Sequence, residues 1–347
     1  MRIMVIGLLI VASLAFPVSA EAFTVPPVPD AAEIFVPEQP ETFSEGLATV
    51  LREAAEYLFP ALRSALGCCI GIIAVVLLSA LVENLPGATA KVTSIVTTVA
   101  VALLLISPSS RLIRLGADTV TQISEYGKLL LPVMTGSLAA QGGVSTSAAL
   151  YAGTVFFDTL LSGIISKLIV PTLYILLCLS VASCATEAEI LAKLVGLVKW
   201  AITWCLKTIL YVFTGYMGIT GVISGATDAA AMKATKLTIS GMVPVVGGIL
   251  SDASEAVLVS AGLVKSTIGV YGVVVIAALW IHPFIQIGAQ YLMLKLTAGI
   301  CSIFGGKGPV KLIESFSGAM GILLAMTGAV SLMLMVSVVC FMRGVAA

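Results

Sequence analysis

The chain has 347 residues, 59% of them hydrophobic and 10% charged, with 18 basic side chains, 18 acidic ones and one histidine. A mean hydropathy of +1.13 excludes an ordinary soluble domain and predicts an all-α polytopic membrane protein. The zero net charge hides an asymmetry: residues 21 to 63 carry eight acids against Arg52 and Arg63, a local net of −6, which disfavours nucleic acid as a partner.

Residues 1 to 22 set Arg2 before the apolar run Ile3 to Phe16, then Pro17 and Val18-Ser19-Ala20, with small residues at the −3 and −1 positions of a signal-peptidase site. This reads as a signal peptide, residues 1 to 20, cut after Ala20 or Ala22. The rival is an uncleaved anchor, although a run of 14 residues is short for a hydrocarbon core of about 30 Å. Cleavage leaves the mature amino terminus outside the cytoplasm. Residues 21 to 63 then form one unit. Pro26, Pro27, Pro29, Pro37 and Pro40 stand among acids with few large apolar residues, a composition for an extended extracytoplasmic arm. Thr42 and Glu45 have capping-box spacing, and Leu47, Val50, Leu51, Ala54 and Leu58 recur at helical spacing, so a short amphipathic helix follows, its apolar face open to the membrane, to a partner or, as expected first, to the protein's own spans.

Residues 64 to 347 form the polytopic domain. Charge-free runs at Ala65 to Val82 and Val92 to Pro108 are long enough to cross a bilayer, with Glu83 and Lys91 bounding the turn between them. Arg111, Arg114 and Lys128 follow on a more polar stretch. With the amino terminus outside, this cluster falls on the outer side, so either one span is re-entrant or the positive-inside tendency is overridden. Residues 129 to 157 are uncharged and rich in small side chains, and Gln141-Gly142-Gly143 predicts a break between two half-spans. Asp158 is an acid in an apolar run, with a functional and a structural hydrogen-bonding role both open. Beyond Lys167, residues 168 to 186 read as a span kinked at Pro171. Trp200 and Trp204 lie one helical turn apart in a lysine-bearing segment, the pattern of anchors at the headgroup level of the lipid bilayer. Residues 208 to 227 cross again.

The stretch Ile239 to Lys265 combines a helix breaker with carboxylates. Pro244 with Gly247 and Gly248 predicts a broken helix. Asp252 and Glu255, three residues apart, are expected to cap or bond the freed backbone, or else to lie in a solvated loop. Irregular backbone at membrane depth must be buried in protein or line a wet cavity. His282 precedes Pro283, where it either bonds a freed carbonyl or relays a proton with Asp158 or Lys295. Residues 315 to 342 form the last span. The turn GGKGPVK lacks the spacing of a phosphate loop, and one histidine cannot build a typical metal site, so no cofactor is expected. All seven cysteines fall in apolar runs, which favours packing over disulfides. The count comes to seven to eight spans, with broken or re-entrant helices.

An offset of 112 residues superposes Pro132 on Pro244, Pro171 on Pro283 and Gly136 on Gly248. It suggests two repeats, 129 to 235 and 241 to 340, each with a proline-broken entry and a proline-kinked span, a pattern of transporter folds with a site at the repeat interface.

The run GATDAAAMKATKLTISGMVPVVGGILSDASEAVLVSAGLVKSTIGVYG from Gly225 to Gly272, with its PVVGG, LSDA and VYG elements, resembles the stage III sporulation protein AE family. The resemblance implies a non-enzymatic membrane component of the channel or transport complex between mother cell and forespore, needed for late forespore gene expression. It implies as partners the other proteins of the sporulation stage III A operon and, through them, forespore membrane proteins. It also implies a place in the mother-cell membrane around the forespore, with the acidic arm between the two membranes, and it carries over no catalytic residue. The alternative is a secondary transporter or permease for a small solute, with the Pro244 to Glu255 stretch and Asp158 at its site. An intramembrane protease is disfavoured by the lack of HExxH and of a GxGD-type aspartate pair.

Overall fold

A computed structural model describes residues 26–29, 43–83, 90–186, 188–242, 247–304 and 306–344, except for the side chains of 43, 45, 90 and 221–264. Every regular element among the described residues is helical: α1 (Phe43–Glu83), α2 (Ala90–Ala140), α3 (Val144–Ile164), a π turn (Ile165–Ile169), α4 (Val170–Thr186), α5 (Glu189–Met242), α6 (Gly247–Phe304) and α7 (Lys307–Arg343). Because α3, the π turn and α4 are continuous, they form six rods, each long and apolar enough to cross a membrane. The protein is a polytopic helical membrane protein with about six spans, not the seven to eight expected.

The physical reason for the lower number is that polar stretches extend helices instead of ending them. The amphipathic segment and the first span merge into α1, with Pro60 inside it. The run 92 to 108, the arginine-bearing stretch and the first half-span merge into the 51 residues of α2, with Pro108 and Pro132 inside. The lysine-tryptophan segment merges with the following span into α5, and Pro283 lies inside α6. An apolar window marks where a helix can sit in lipid, not where it stops, and at 1.5 Å per residue α2 is about 75 Å long against a hydrocarbon layer of about 30 Å. Each internal proline removes one donor, a loss that packed neighbours tolerate.

The break at Gln141 to Gly143 is where the residues predicted it. The amide of Gly143 bonds the carbonyl of Leu138 at 3.1 Å and that of Gly142 bonds Ala139 at 2.9 Å. Gly142 takes φ 91°, a left-handed conformation that glycine adopts without the steric cost of a side chain, so α2 closes with a Schellman motif. At Pro171 the helix continues behind the π turn. The missing proline amide leaves the Lys167 carbonyl without its α-helical donor, and the wider turn falls on these residues. Residues 1 to 25, which hold the expected signal, lie outside the described residues. Of the arm, Pro26 is buried and Val28 packs against the core.

The last helix is the axis of the bundle. Two thirds (67%) of the most apolar window of α7 is buried, against 17% for α5, whose outer face is left for lipid. Phe316, Met320, Leu323, Met326, Val330, Met333, Leu334 and Phe341 of α7 are all buried at helical spacing. α2 runs parallel to it, with Gly116 beside Met326 and Gly127 beside Leu334, while α6 runs antiparallel to both, with Gly272 beside Leu130 and Gly328 beside Trp280. Small residues permit these approaches where no hydrophobic effect drives helices together.

Among the described glycines the tightest approach is Gly153 of α3, where a Cβ would collide with the ring of Tyr216, and the Tyr216 hydroxyl donates to the Ala149 carbonyl at 3.0 Å. Gly153→Ala is therefore expected to cost about 1–3 kcal/mol by overpacking. Thermal unfolding of purified protein in detergent should show a clear fall in midpoint, whereas Gly163→Ala, with open space around its Cβ, should leave the midpoint within error.

Candidate functional site

The interface of α2, α3 and α7 is apolar except for a seam of hydroxyls around one acid. Asp158, placed on the inner face of α3 beside Phe157, is 5% exposed. The Ser124 hydroxyl of α2 donates to its Oδ2 at 2.5 Å. Its other oxygen, Oδ1, is buried with no hydrogen-bond partner among the described residues. One turn earlier on α3, the Thr154 hydroxyl donates to Ser337 Oγ of α7 at 2.9 Å, and Ser337 donates in turn to the Met333 carbonyl at 3.0 Å. The hydroxyls of Tyr126 and Ser137 on α2 are also buried, without a partner among the described residues. Lys128 stands one turn beyond Ser124 and is exposed, and no ion pair joins it to Asp158 among the described residues.

Chemically, this seam offers a carboxyl with one oxygen held by Ser124 and one open, and a hydroxyl pair, Thr154 and Ser337, one turn along α3. Such an arrangement can hold a proton, order a water or fix helix register, and an isolated buried polar group that does none of these costs about 1–3 kcal/mol. The aromatic packing behind it is close: Phe157 meets Phe213 edge-on at 5.5 Å and Tyr216 at 5.8 Å between ring centres, which fixes the turn of α3 that carries the acid.

The other predicted positions are scattered through the bundle. Pro244 lies outside the described residues; α5 ends at Met242 and α6 begins at Gly247, on either side of it. Gly247, Gly248, Asp252 and Glu255 are in the backbone of α6, and their side chains lie outside the description. Pro132 is inside α2, Pro171 is the second residue of α4 and Pro283 is inside α6. Trp200 and Trp204 stack at 6.2 Å and are 65% and 58% exposed. His282 is 2.8 Å from Gln286, Nε2 to Nε2, and sets its ring edge-on to Tyr57 at 5.9 Å. Sequence reasoning missed Ser124, Thr154 and Ser337 as members of the seam. A serine in an apolar helix is an unremarked small residue until its cross-helix partner is known.

If the seam is an organised hydrogen-bonded unit, Asp158→Asn, which keeps an acceptor for Ser124, should leave the unfolding midpoint nearly unchanged. Asp158→Ala should lower stability by about 1–3 kcal/mol. The double change with Ser124→Ala should cost less than the sum of the single changes, read by thermal unfolding in detergent.

Comparison with known proteins bears on the same residues. The family model described as Stage III sporulation protein AE matches residues 35–344. A relative from Bacillus subtilis (strain 168), named Stage III sporulation protein AE, is 25% identical over 226 residues, which is 65% of this chain and 56% of that protein. The match thus spans little more than half the length of the relative. No solved structure matches the chain. With the family model covering α1 to α7, the chain belongs to the stage III sporulation protein AE family, a family of sporulation proteins.

Proposed function

We propose that this protein is a structural and transport-associated subunit of the membrane complex that joins mother cell to forespore, and that it supports late forespore gene expression. The observation that carries this reading is the family match over 35–344 on a chain whose six rods are long and apolar enough to cross a membrane. In this reading it sits in the mother-cell membrane around the forespore. Its acidic amino-terminal arm lies in the space between the two membranes, where it meets other products of the stage III A operon. The protein acts there as a non-enzymatic component.

A second reading, a permease for a small solute, draws support from the open Oδ1 of Asp158 buried between α2 and α3, since buried ionisable groups in membrane helices mark ion or substrate pathways by default. The two readings are compatible if the complex itself conducts solutes, and they differ in what a deletion does outside sporulation.

The test is a deletion in an endospore-forming host, scored with a late forespore-specific reporter after engulfment is complete. The expected outcome is a block at that stage, restored by the intact gene. The Asp252→Ala, Glu255→Ala double variant, shown to reach the membrane, should fail to restore the reporter, with activity reduced at least severalfold. Normal spores from the deletion strain would overturn the sporulation-complex reading and leave the permease. Full restoration by the double variant would remove the central stretch from the mechanism.

A further inference from the structure

A second polar feature lies away from the Asp158 seam. Between α1, α2 and α6 is a cavity of about 550 Å³, walled by Tyr57 to Cys68 of α1, Pro108 to Leu115 of α2 and His282 to Gln290 of α6. Its origin is legible in the residues. On α1 the wall carries Ala61, Ser64, Ala65 and Gly67, side chains too small to fill the space opposite. On α6 it carries His282, Gln286 and Gln290 at intervals of four, one polar stripe in the stretch 273–293, which has no charged side chain. On α2, Pro108 leaves the Leu104 carbonyl without a helical donor, and the thiol of Cys68 stands 3.9 Å from that oxygen.

Two further observations point to a ligand. Gln290, whose side chain lines the cavity, is 6% exposed, and its amide Nε2 has only the weakly accepting thiol of Cys68 beside it and no hydrogen bond of ordinary geometry among the described residues. Buried amide donors are nearly always paired, and an amide with two hydrogens and one weak sulfur acceptor keeps a donor for a ligand in the cavity. Among the described residues the wall also holds one cation, Arg111, and no acid; Arg111 is exposed, and no described carboxylate is within ion-pair distance of it. A guanidinium presents a planar fork of donors that matches carboxylate and phosphate. The volume lies within the range of small-molecule sites, about 300–1,000 Å³.

We infer that this cavity is a binding site for a small ligand bearing one anionic group, carboxylate or phosphate, held by Arg111, with its polar body hydrogen-bonded to the Gln286 and Gln290 amides. The inference does not depend on the sporulation complex, because binding is read on the isolated protein. The same chemistry can come from a free solute or from the headgroup of an anionic lipid, and Cys68 in the wall is a native reporter that separates the two.

The experiment uses the full chain in nanodiscs of phosphatidylcholine, titrated at matched ionic strength with sodium glutamate and separately with inorganic phosphate, and a parallel sample in phosphatidylglycerol nanodiscs. The readout is the rate at which a small thiol reagent modifies Cys68, followed by peptide mass mapping. One anion source should slow that rate saturably, by about fivefold or more. Arg111→Gln and Gln290→Leu should each raise the half-protecting concentration about tenfold, the loss of one charge-assisted or buried hydrogen bond. Arg114→Gln, outside the wall, should not. Protection by phosphatidylglycerol alone assigns the anion to lipid, and protection by glutamate or phosphate assigns it to a free solute. If Arg111→Gln fails to fold, Gln290→Leu carries the test. Equal Cys68 rates in every sample, or protection that survives the wall variants, overturns the proposal.

Discussion

A backbone amide in hydrocarbon has no water to turn to, and this constraint shapes the whole molecule. It favours helices over any open alternative, and it explains why prolines here sit inside helices without ending them. Pro60, Pro108, Pro132 and Pro283 each take away one donor. Continuing the helix on either side still satisfies more groups than ending it would. The same constraint leaves particular carbonyls free, and around them cross-helix polar contacts collect, as the thiol of Cys68 does near Leu104.

Association of the rods has a separate cause. Lipid tails are as apolar as leucine, so helices must win by contact quality. Gly116, Gly127 and Gly272 bring α2, α6 and α7 close enough for Met326, Leu334 and Leu130 to pack on bare backbone. Hydroxyls then register the helices against each other: Thr154 reaches Ser337, and Ser317 reaches the Tyr291 carbonyl at 3.3 Å. Near the carboxyl end of α7, Lys265 donates its ammonium to the Gly344 carbonyl at 2.8 Å, tying that end to α6.

Fold class and membrane character were legible because composition sets them directly, and the family was legible in the run from Gly225 to Gly272. The turn at Gln141 to Gly143 was legible because consecutive glycines after a polar residue are a local signal, and the Schellman bonds are local too. Helix ends elsewhere were not. Arg111, Arg114 and Asp118 look like the end of a span, yet α2 runs on because Ile113, Val120 and Ile123 keep an inward stripe through the charged stretch, all of them fully buried. The seam around Asp158 was half legible. The acid announces itself by charge, whereas Ser124 is 34 positions away and becomes its partner only through the packing of α2 on α3.

The π turn at Ile165–Ile169 acts as a phase correction along the third rod. Leu161, Ile165, Ile169 and Leu173 are buried at steps of four, and on a helix of 3.6 residues per turn such a stripe advances by about 40° at each step. A wider turn gives back part of that advance, so that Leu176 and Leu177 of α4 still face the bundle. The rod therefore holds two α-helical segments whose inward faces are aligned by one surplus residue. Removing a single residue there would rotate everything from Val170 to Thr186 by about 100°, turning a buried stripe towards lipid while costing the backbone no donor beyond the one Pro171 already lacks.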